Sequence, residues 1–352
     1  MRPSAILSEA LRNLRSGTSR AVFLAVAVAI LAAGATVADA VMVDSLTRRA
    51  ETYLASGAAI RTVVSRQQID IPSCDALDRA QGVPPAGALR EEQPLRLAAL
   101  PGTSFPRFAV SPRFTRVLDL PSEGDSGAFV SRSLAETLGV SAGDTLLTTE
   151  GVIRIASIFE WPADGRDKRL GRAVLVPVPV GAMDECWALV WPATTDRDGL
   201  LRATAFATPD SKTPPVVLAQ VNKSLGSTLD VASEYEERVT RLAPAFAALA
   251  AAAVGAVGVR LRRLEIAAAL HAGATRSSVY AVLSAETVIW STAAAAGASG
   301  LAAVAHLVGI ASVSVATGTL TALLAAAAAL PGVLAAASGI RERHLFRYFK
   351  DR

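Results

Sequence analysis

The sequence predicts a membrane protein with four transmembrane helices and one α+β extracytoplasmic domain inserted between the first and second of them. Two observations lead to this fold class. Four long segments are nearly free of charged residues, and each is close to the roughly 20 apolar residues that span about 30 Å of hydrocarbon. Hydrophobic residues make up 51% of the 352 residues but aromatics only 5%. The apolar mass is therefore expected in helices rich in alanine, valine and leucine.

The predicted spans follow from these apolar segments. A backbone in lipid must satisfy its own hydrogen bonds, so each segment is expected to be helical. Buried helices of a soluble protein are the alternative, but soluble helices average only about 11–12 residues. The predicted spans are residues 21–43, 242–259, 279–308 and 310–339.

The first 20 residues predict a cytoplasmic interfacial helix over 1–20, because apolar residues recur there at helical spacing. A cleaved signal peptide is the alternative, since Ala38 and Ala40 flank Asp39 as in a small-x-small cleavage site. The apolar stretch is longer than the usual core of about 7–15 residues, which favours an uncleaved anchor. The residues of the apolar stripe are Ile6, Leu7, Ala10, Leu11 and Leu14.

The distribution of basic residues predicts the orientation in the membrane. The segments 1–20, 260–278 and 340–352 together hold 13 basic and 4 acidic residues. Cytoplasmic loops carry the excess of lysine and arginine. We therefore expect a multi-pass protein of the cell (plasma or inner) membrane, with both termini and the basic tail 340–352 in the cytoplasm. Residues 44–241 would form the extracytoplasmic domain.

The two cysteines of the chain, Cys74 and Cys186, both lie in this predicted outer domain. Disulfides form and persist outside the cytoplasm, so we predict that the two residues are bonded. Two free buried thiols remain the alternative, because sequence alone cannot show that the Cα atoms come within about 7 Å of each other.

Short apolar runs separated by turn residues predict a mixed α and β outer domain. Ser131 is placed to cap a short helix that runs through Leu138 and ends at Gly139. The runs 145–149 and 152–159 predict a hairpin. The other predicted elements are strands at 59–64, 128–130, 173–178, 188–190 and 203–207 and helices at 215–225 and 231–242, while the proline- and glycine-rich stretch 82–121 receives no assignment.

No catalytic constellation stands out. The three histidines, His271, His306 and His344, all lie outside the predicted outer domain, which excludes a histidine-based metal site or catalytic triad there. The GxxxxGK[ST] pattern of a Walker-type ATPase is absent. Basic residues form no run interleaved with aromatics, which gives nucleic-acid binding little support. An active site built only from aspartate and glutamate is the alternative, but the carboxylates of the outer domain have the pattern of turn and surface residues. We therefore expect no enzymatic activity, metal or cofactor in this chain.

The segment 262–276, which lies between the second and third spans, is the most specific part of the sequence. It reads RRLEIAAALHAGATR. Gly273 is placed to end a short helix, and Thr275 is placed to cap the next one. The pattern predicts a helix-turn-helix elbow at the cytoplasmic surface, with an apolar face suited to docking in a groove of a partner. The residues of that face are Ile266, Ala269, Leu270 and Gly273.

This elbow resembles the corresponding stretch of the FtsX-like permease family, which includes the MacB and LolC/LolE transport proteins and reads approximately RRREIAxLRAxGATxxxI there. His271 replaces the usual arginine or lysine, and Glu286 matches a glutamate common in the family. The resemblance implies that the elbow is the coupling helix that contacts a cytoplasmic ABC ATPase. The matching positions are Arg262, Arg263, Glu265, Ile266, Leu270, Gly273, Ala274 and Thr275.

Two further regions carry the resemblance. Residues 11–15, LRNLR, look like the opening motif of the family, and residues 129–145 are similar to the MacB-type periplasmic domain. The family implies an ATPase dimer that binds ATP and magnesium, and a second permease chain that is either identical or a paralogue. It also implies a bilayer environment and allows an extracytoplasmic protein partner.

Three functions are compatible with this sequence. The first is a permease that transmits ATP-driven movement to its outer domain in order to export or extract a lipid, lipoprotein or amphipathic compound. The second is a mechanotransmission subunit that transports nothing and activates a cell-wall hydrolase or signalling partner. The third is a receptor or adhesion protein without any ATPase, which would have no need for the elbow. The match to a transport-type domain favours the first.

Overall fold

The computed structural model describes residues 3–77, 85–120, 127–206, 216–309 and 313–350. The chain forms two compact units. The helix unit consists of Met1–Arg48 and Ala232–Arg352, and the sheet unit consists of Arg49–Val231.

The elements are numbered in chain order. The helices are α1 (Pro3–Arg15), α2 (Ala21–Ala55), α3 (Ile71–Leu77), α4 (Phe114–Val117), α5 (Arg132–Leu138), α6 (Thr195–Arg202), α7 (Val231–Glu237), α8 (Ala243–Leu261), α9 (Arg263–His271), α10 (Arg276–Leu307), α11 (Val315–Ser338) and α12 (Leu345–Lys350). The strands are β1 (Ile60–Asp70), β2 (Ala86–Leu97), β3 (Leu100–Val110), β4 (Ala128–Ser131), β5 (Thr145–Thr148), β6 (Gly151–Phe159), β7 (Val174–Pro177), β8 (Ala182–Leu189) and β9 (Val217–Gln220). Short 3₁₀ helices lie at Lys168–Arg172, Val239–Leu242 and Glu342–His344.

Four helical segments of the described chain are long and apolar enough to cross a membrane, as the sequence predicts. Three of them are α2, α10 and α11, and the fourth runs from Val231 to Leu261 and includes α8. The first differs from the prediction in length, because α2 continues past residue 43 to Ala55.

The expectation that residues 231–242 lead into the second span as one continuous helix is wrong. The helix breaks at Arg238, whose backbone is extended, and a 3₁₀ turn precedes α8. The guanidinium of Arg238 donates a hydrogen bond of 2.9 Å to Asp39 of α2. Pro244 lies in the first turn of α8, a position that proline fits.

Small residues bring α8 and α11 together. Ala251 is fully buried, and a Cβ added at Gly255 would lie 2.7 Å from the carbonyl oxygen of Ala329. A Cβ at Gly332 would overlap the carbonyl oxygen of Ala252. The two backbones are therefore in direct contact, which is the arrangement that small residues permit between membrane helices.

The described residues of the sheet unit form one mixed sheet of nine strands. Six of them close a ring in the order β2, β3, β7, β4, β6 and β5, and β8, β1 and β9 extend the sheet from β2. Most neighbours are antiparallel, but the pairs β3–β7 and β4–β6 are parallel. The sheet packs its apolar side chains into clusters that are separate from the core of the helix unit.

Several predicted elements of this unit are confirmed. The hairpin is β5 and β6, with Thr145 opposite Arg154, and the strands predicted at 59–64, 128–130, 173–178 and 188–190 overlap β1, β4, β7 and β8. Helix α5 ends at Gly139, which adopts the left-handed conformation at φ +68°. Ser131 is the residue before α5, but its hydroxyl does not cap the helix. It accepts a hydrogen bond from the backbone N–H of Ala173 instead.

Other predictions for this unit are wrong. The helix expected at 215–225 is replaced by β9, which pairs with β1; residue 215 lies outside the described residues. The β-branched Val216 and Val217 suit a strand, and the edge of β1 supplies the hydrogen bonds. In place of the strand expected at 203–207, the residues directly after α6 form a turn with a single bridge from Ala205 to Ile69; residue 207 is outside the described residues.

The unassigned stretch 82–121 contains the longest hairpin of the described sheet, β2 and β3, although residues 82–84 and 121 lie outside the described part. Its register shifts between Glu92 and Leu95, where Pro94 lies, and Pro106 lies opposite this shift. Proline cannot donate to a sheet ladder and is found at bulges. The two prolines therefore conceal the strand pattern in the sequence.

The predicted disulfide is present. Cys74 on α3 and Cys186 on β8 are bonded, with their Cα atoms 5.8 Å apart. Both residues are fully buried in an apolar cluster of the sheet unit. The bond closes a loop across a sequence separation of 112 residues.

Candidate functional site

The elbow predicted from the sequence forms as two helices joined by a tight turn. Helix α9 ends in a Schellman motif, in which the N–H of Ala274 donates to the carbonyl of Ala269 at 3.0 Å and the N–H of Gly273 donates to that of Leu270 at 3.1 Å. Gly273 has φ +95°, a conformation that costs glycine nothing and other residues more. Thr275 then caps α10 by accepting a hydrogen bond from the N–H of Ser278.

The apolar face of α9 is only partly available to a partner, contrary to the expectation from its spacing. Ile266 is 5% exposed and packs in one cluster with Leu283 of α10 and Val333 of α11. Leu270 is half-buried against the same cluster. These two side chains attach α9 to its own bundle, because α9 folds back immediately after α8 and lies against the ends of α10 and α11.

The face of the elbow that is open to solvent consists of small residues and one histidine. We name this set the elbow tip: Ala268, Ala269, His271, Ala272 and Gly273, all exposed. Short side chains allow another protein to approach the backbone of α9 closely. Glu265 and Arg276, which are also exposed, add one charge of each sign beside the tip.

A hydrogen-bonded polar network lies directly behind the elbow. Arg262 donates to one carboxylate oxygen of Glu286 at 2.5 Å, and its guanidinium also donates to both oxygens of Glu265, at 2.8 and 3.1 Å. The side-chain amide of Asn13 donates to the other oxygen of Glu286 at 2.6 Å. We refer to these four residues as the elbow network. It joins α1, the bend between α8 and α9, α9 itself and α10.

The centre of the elbow network is buried. The Glu286 side chain is 4% exposed and that of Arg262 is 9% exposed. Burial by itself would lower the pKa of Arg262, but the hydrogen bonds to Glu265 and Glu286 raise it above its ordinary value. The guanidinium therefore stays charged and compensates the carboxylate of Glu286. A buried charge pair of this kind is strongly destabilised when one partner is removed.

A cleft of about 190 Å³ lies next to this network, between α1, α9 and α10. Polar and aliphatic side chains both line it. The residues that line it are Glu9, Asn13, Arg262, Glu265, Ile266, Ala269, Ala274, Ser278, Val279, Val282 and Leu283. The cleft opens beside Ala269 of the elbow tip.

Arg263 has a different role from the neighbouring Arg262. Its guanidinium lies 5.3 Å from the centre of the Tyr348 ring, within the range of a cation–π contact. This contact connects α9 to α12.

Sequence reasoning identified most of these residues but missed the role of two. Asn13 lies in the LRNLR motif, which carries part of the family resemblance. Nothing in that motif indicates that Asn13 contacts Glu286, 273 positions away. Glu286 was noted as a family match. A carboxylate in a predicted span is itself a signal, because intramembrane charges are costly and usually paired.

Two solved structures are similar to part of this chain. The periplasmic region of MacB from Actinobacillus actinomycetemcomitans is 9% identical, aligns with 44% of this chain and 86% of its own length, and has a TM-score of 0.33. A domain of a protein named as a permease from Porphyromonas gingivalis is 14% identical, covers 41% of this chain and 80% of its own, and has a TM-score of 0.30. At these values the likenesses carry no argument about function. No protein-family model and no curated protein matches the chain.

Proposed function

We propose that this chain is the permease subunit of an ABC-type complex and that it transmits movement from a separate cytoplasmic ATPase to the sheet unit. The observation that carries this proposal is the elbow network. It attaches α9, the helix that carries the exposed elbow tip, to α1 and α10 through hydrogen bonds. Such an attachment suits a helix that receives force from a partner and passes it into the membrane spans.

The proposed mechanism uses the packing around α9. Closure of an ATPase dimer presses on the elbow tip, and α9 passes the displacement to α10 through the bond between Arg262 and Glu286. Ile266 passes it to α11 through their shared apolar cluster. Two chains act together, each with its own ATPase subunit, which binds the ATP and magnesium. The described helices then tilt as units, because a packed core does not deform continuously.

The proposal places α9, α1 and α12 on the cytoplasmic side of the cell membrane and the sheet unit outside. The excess of basic residues in the segments around α1, α9 and α12 supports this orientation. The disulfide within the sheet unit supports it independently, since such bonds are rare in the cytoplasm. The proposed cargo is a lipid, lipoprotein or amphipathic compound that is extracted or exported.

The test is to purify the tagged full chain in mild detergent and identify the proteins that accompany it by mass spectrometry. A variant that carries Ala268→Arg and Ala272→Arg places two bulky cations on exposed positions of the elbow tip, neither of which lines the cleft beside the network. Ala5→Arg adds one cation at an exposed position of α1 and is the control for added positive charge.

We expect an ABC ATPase to accompany the native chain and the Ala5→Arg chain but not the double variant. Recovery of the ATPase with all three chains would remove the elbow tip as its docking surface. Failure to recover any ATPase with the native chain, while a control complex stays intact, would overturn the permease proposal. A co-purifying secreted hydrolase would turn the proposal from transport to activation of that partner.

A further inference from the structure

The sheet unit contains a cavity of about 370 Å³ on one face of the strands β8, β1 and β9. Thr62 and Val64 of β1 line it, and the pairing register places Trp187 of β8 opposite Thr62 and Glu185 opposite Val64. Ala219 of β9 also lies opposite Thr62. These side chains share one face of the sheet, because residues that are paired across strands point the same way.

One side of the cavity is formed by the segment before and within the 3₁₀ helix at Lys168–Arg172. The carboxylate of Glu185 accepts hydrogen bonds from Arg169, at 2.6 and 3.1 Å, and from the indole N–H of Trp187 at 2.7 Å. Arg169 also donates to Asp167 at 2.6 Å. Both carboxylates, those of Glu185 and Asp167, therefore have Arg169 as their partner inside the structure.

Three other polar groups of the cavity have no such partner among the described residues. Lys168 and Lys223 line it and are exposed, and neither has an acidic partner within the described ranges. Thr62 is 5% exposed, and its hydroxyl has no hydrogen-bond partner among the described residues. Thr62 lines the cavity, so its hydroxyl can donate a hydrogen bond to a group that is bound there, in place of water.

We propose that this cavity binds a phosphate ester. Two ammonium groups at the rim complement the charge of a phosphate, and charge-assisted hydrogen bonds of this kind are the strong ones. The Thr62 hydroxyl donates to the ligand from the floor. The volume falls within the roughly 300–1,000 Å³ typical of ligand pockets and exceeds what a phosphate alone fills. The organic part of the ester contacts Val64, Ala219 and the ring of Trp187.

The same chemistry is offered by a soluble phosphate ester and by the headgroup of a phospholipid. The site belongs to the sheet unit and does not depend on any ATPase, so it can fail while the permease proposal stands, and the reverse also holds.

The experiment is calorimetric titration of the detergent-solubilised full chain with sodium glycerol 1-phosphate and with short-chain dihexanoyl phosphatidic acid. Glycerol is the uncharged control ligand. We expect dissociation constants on the order of 0.01–1 mM for the phosphates. Tighter binding of the short-chain lipid by about tenfold or more assigns the site to lipid headgroups, and equal binding assigns it to soluble esters.

The decisive variant is Lys168→Glu with Lys223→Glu, because both residues are exposed and their replacement leaves the core intact. We expect it to weaken binding by about 100-fold, since two charge-assisted contacts become repulsive. Arg96→Glu with Arg202→Glu changes the net charge equally at exposed positions that do not line the cavity, and it should bind as the native chain does. Thr62→Val should weaken binding by about tenfold, with the lysine variant deciding if this core change impairs folding.

No binding of either phosphate at concentrations of about 10 mM would overturn the assignment, because that is weaker than any specific site of this kind. Equal affinity of the native chain and the double lysine variant would overturn it as well. So would equal affinity for glycerol and glycerol 1-phosphate.

Discussion

Replacement of Arg262 by methionine tests the elbow network most sharply. Arg262→Met keeps an unbranched apolar stem but removes the cation, and it leaves the Glu286 carboxylate, which is only 4% exposed, without its charge partner. Loss of one partner of a buried ion pair costs about 3–5 kcal/mol of stability. Glu265 contributes little to this loss, because its side chain is 45% exposed and water can solvate it.

The matched second variant is Arg262→Met together with Glu286→Gln. Glutamine keeps an oxygen that accepts the hydrogen bond from Asn13, and no buried charge remains. We expect this double variant to lie within about 1–2 kcal/mol of the native chain, since only neutral hydrogen bonds are lost. Reversible unfolding in mixed detergent micelles measures all three free energies. A cost below about 1 kcal/mol for Arg262→Met, or a double variant as unstable as the single one, would refute the buried-pair argument.

The same pair of variants separates stability from coupling. The double variant retains the elbow tip, so we expect it to bind the ATPase that the proposed function requires. It lacks the bond from Arg262 to Glu286, so the ATPase should no longer respond to the permease chain. The measurement compares the rate of ATP hydrolysis by the ATPase alone, by its complex with the native chain and by its complex with the double variant. Equal rates for the two complexes would show that this bond is not needed for coupling.

Three further predictions concern the packing and charges of each unit. Replacement of both Cys74 and Cys186 by serine should lower the unfolding free energy by about 2–5 kcal/mol, measured by denaturant unfolding, and a change below about 1 kcal/mol would contradict the role of the bond. Gly332→Ala should destabilise the helix unit by about 1–3 kcal/mol because its Cβ overlaps a carbonyl of α8. Gly297→Ala, in open space on α10, should be neutral or stabilise by up to about 1 kcal/mol in the same micelle unfolding assay; equal effects would disprove this close contact. The hydrogen bond from Arg166 lowers the pKa of Asp164. The ionised Asp164 therefore contributes to folding stability above the ordinary carboxyl pKa of about 3.9, and this contribution is lost as the pH falls below that value towards the lowered pKa. Because this pair is partly exposed, we expect the native chain to lose less than about 1 kcal/mol more stability than Asp164→Asn between about pH 5 and 2, as measured by thermal unfolding. A difference between the two chains that appears only above pH 5 would contradict the assignment.

The sequence predicted those parts of the fold in which one local signal decides the structure. The uninterrupted apolar runs identify the spans, and Gly273 and Thr275 identify the turn of the elbow, because a left-handed glycine and a helix cap are local properties. Gly139 ends α5 for the same reason. The disulfide was predictable from the position of its cysteines in one segment.

The remaining parts depend on contacts between distant residues. The hairpin β2–β3 contains Pro94 and Pro106, which disrupt its alternating pattern, and its pairing partners stabilise it despite them. Strand β9 is too short to be distinguished from a helix until the edge of β1 is known. Arg238, where the helix breaks, contacts Asp39, which lies 199 positions away in the chain.

The candidate site shows the same division. The residues of the elbow were recognisable as a motif, but their roles differ in the structure. Ile266 and Leu270 were expected to face a partner, and they pack inside the bundle instead because α9 folds back on α10 and α11. Asn13 joins the site only through the tertiary position of α1. Periodicity identifies an apolar face of a helix. The fold determines whether other helices of the same chain or a partner protein cover that face.

The most direct test of the account is crosslinking from the elbow tip. The two cysteines of the chain are bonded to each other, so Ala272→Cys introduces a unique free thiol at an exposed position of the elbow tip. A photoreactive maleimide attached there should form a crosslink to a cytoplasmic ABC ATPase in native membranes, while the same reagent on Ala5→Cys should not. Crosslinking of the ATPase from neither position, or equally from both, would contradict the claim that the elbow receives the force of ATP hydrolysis.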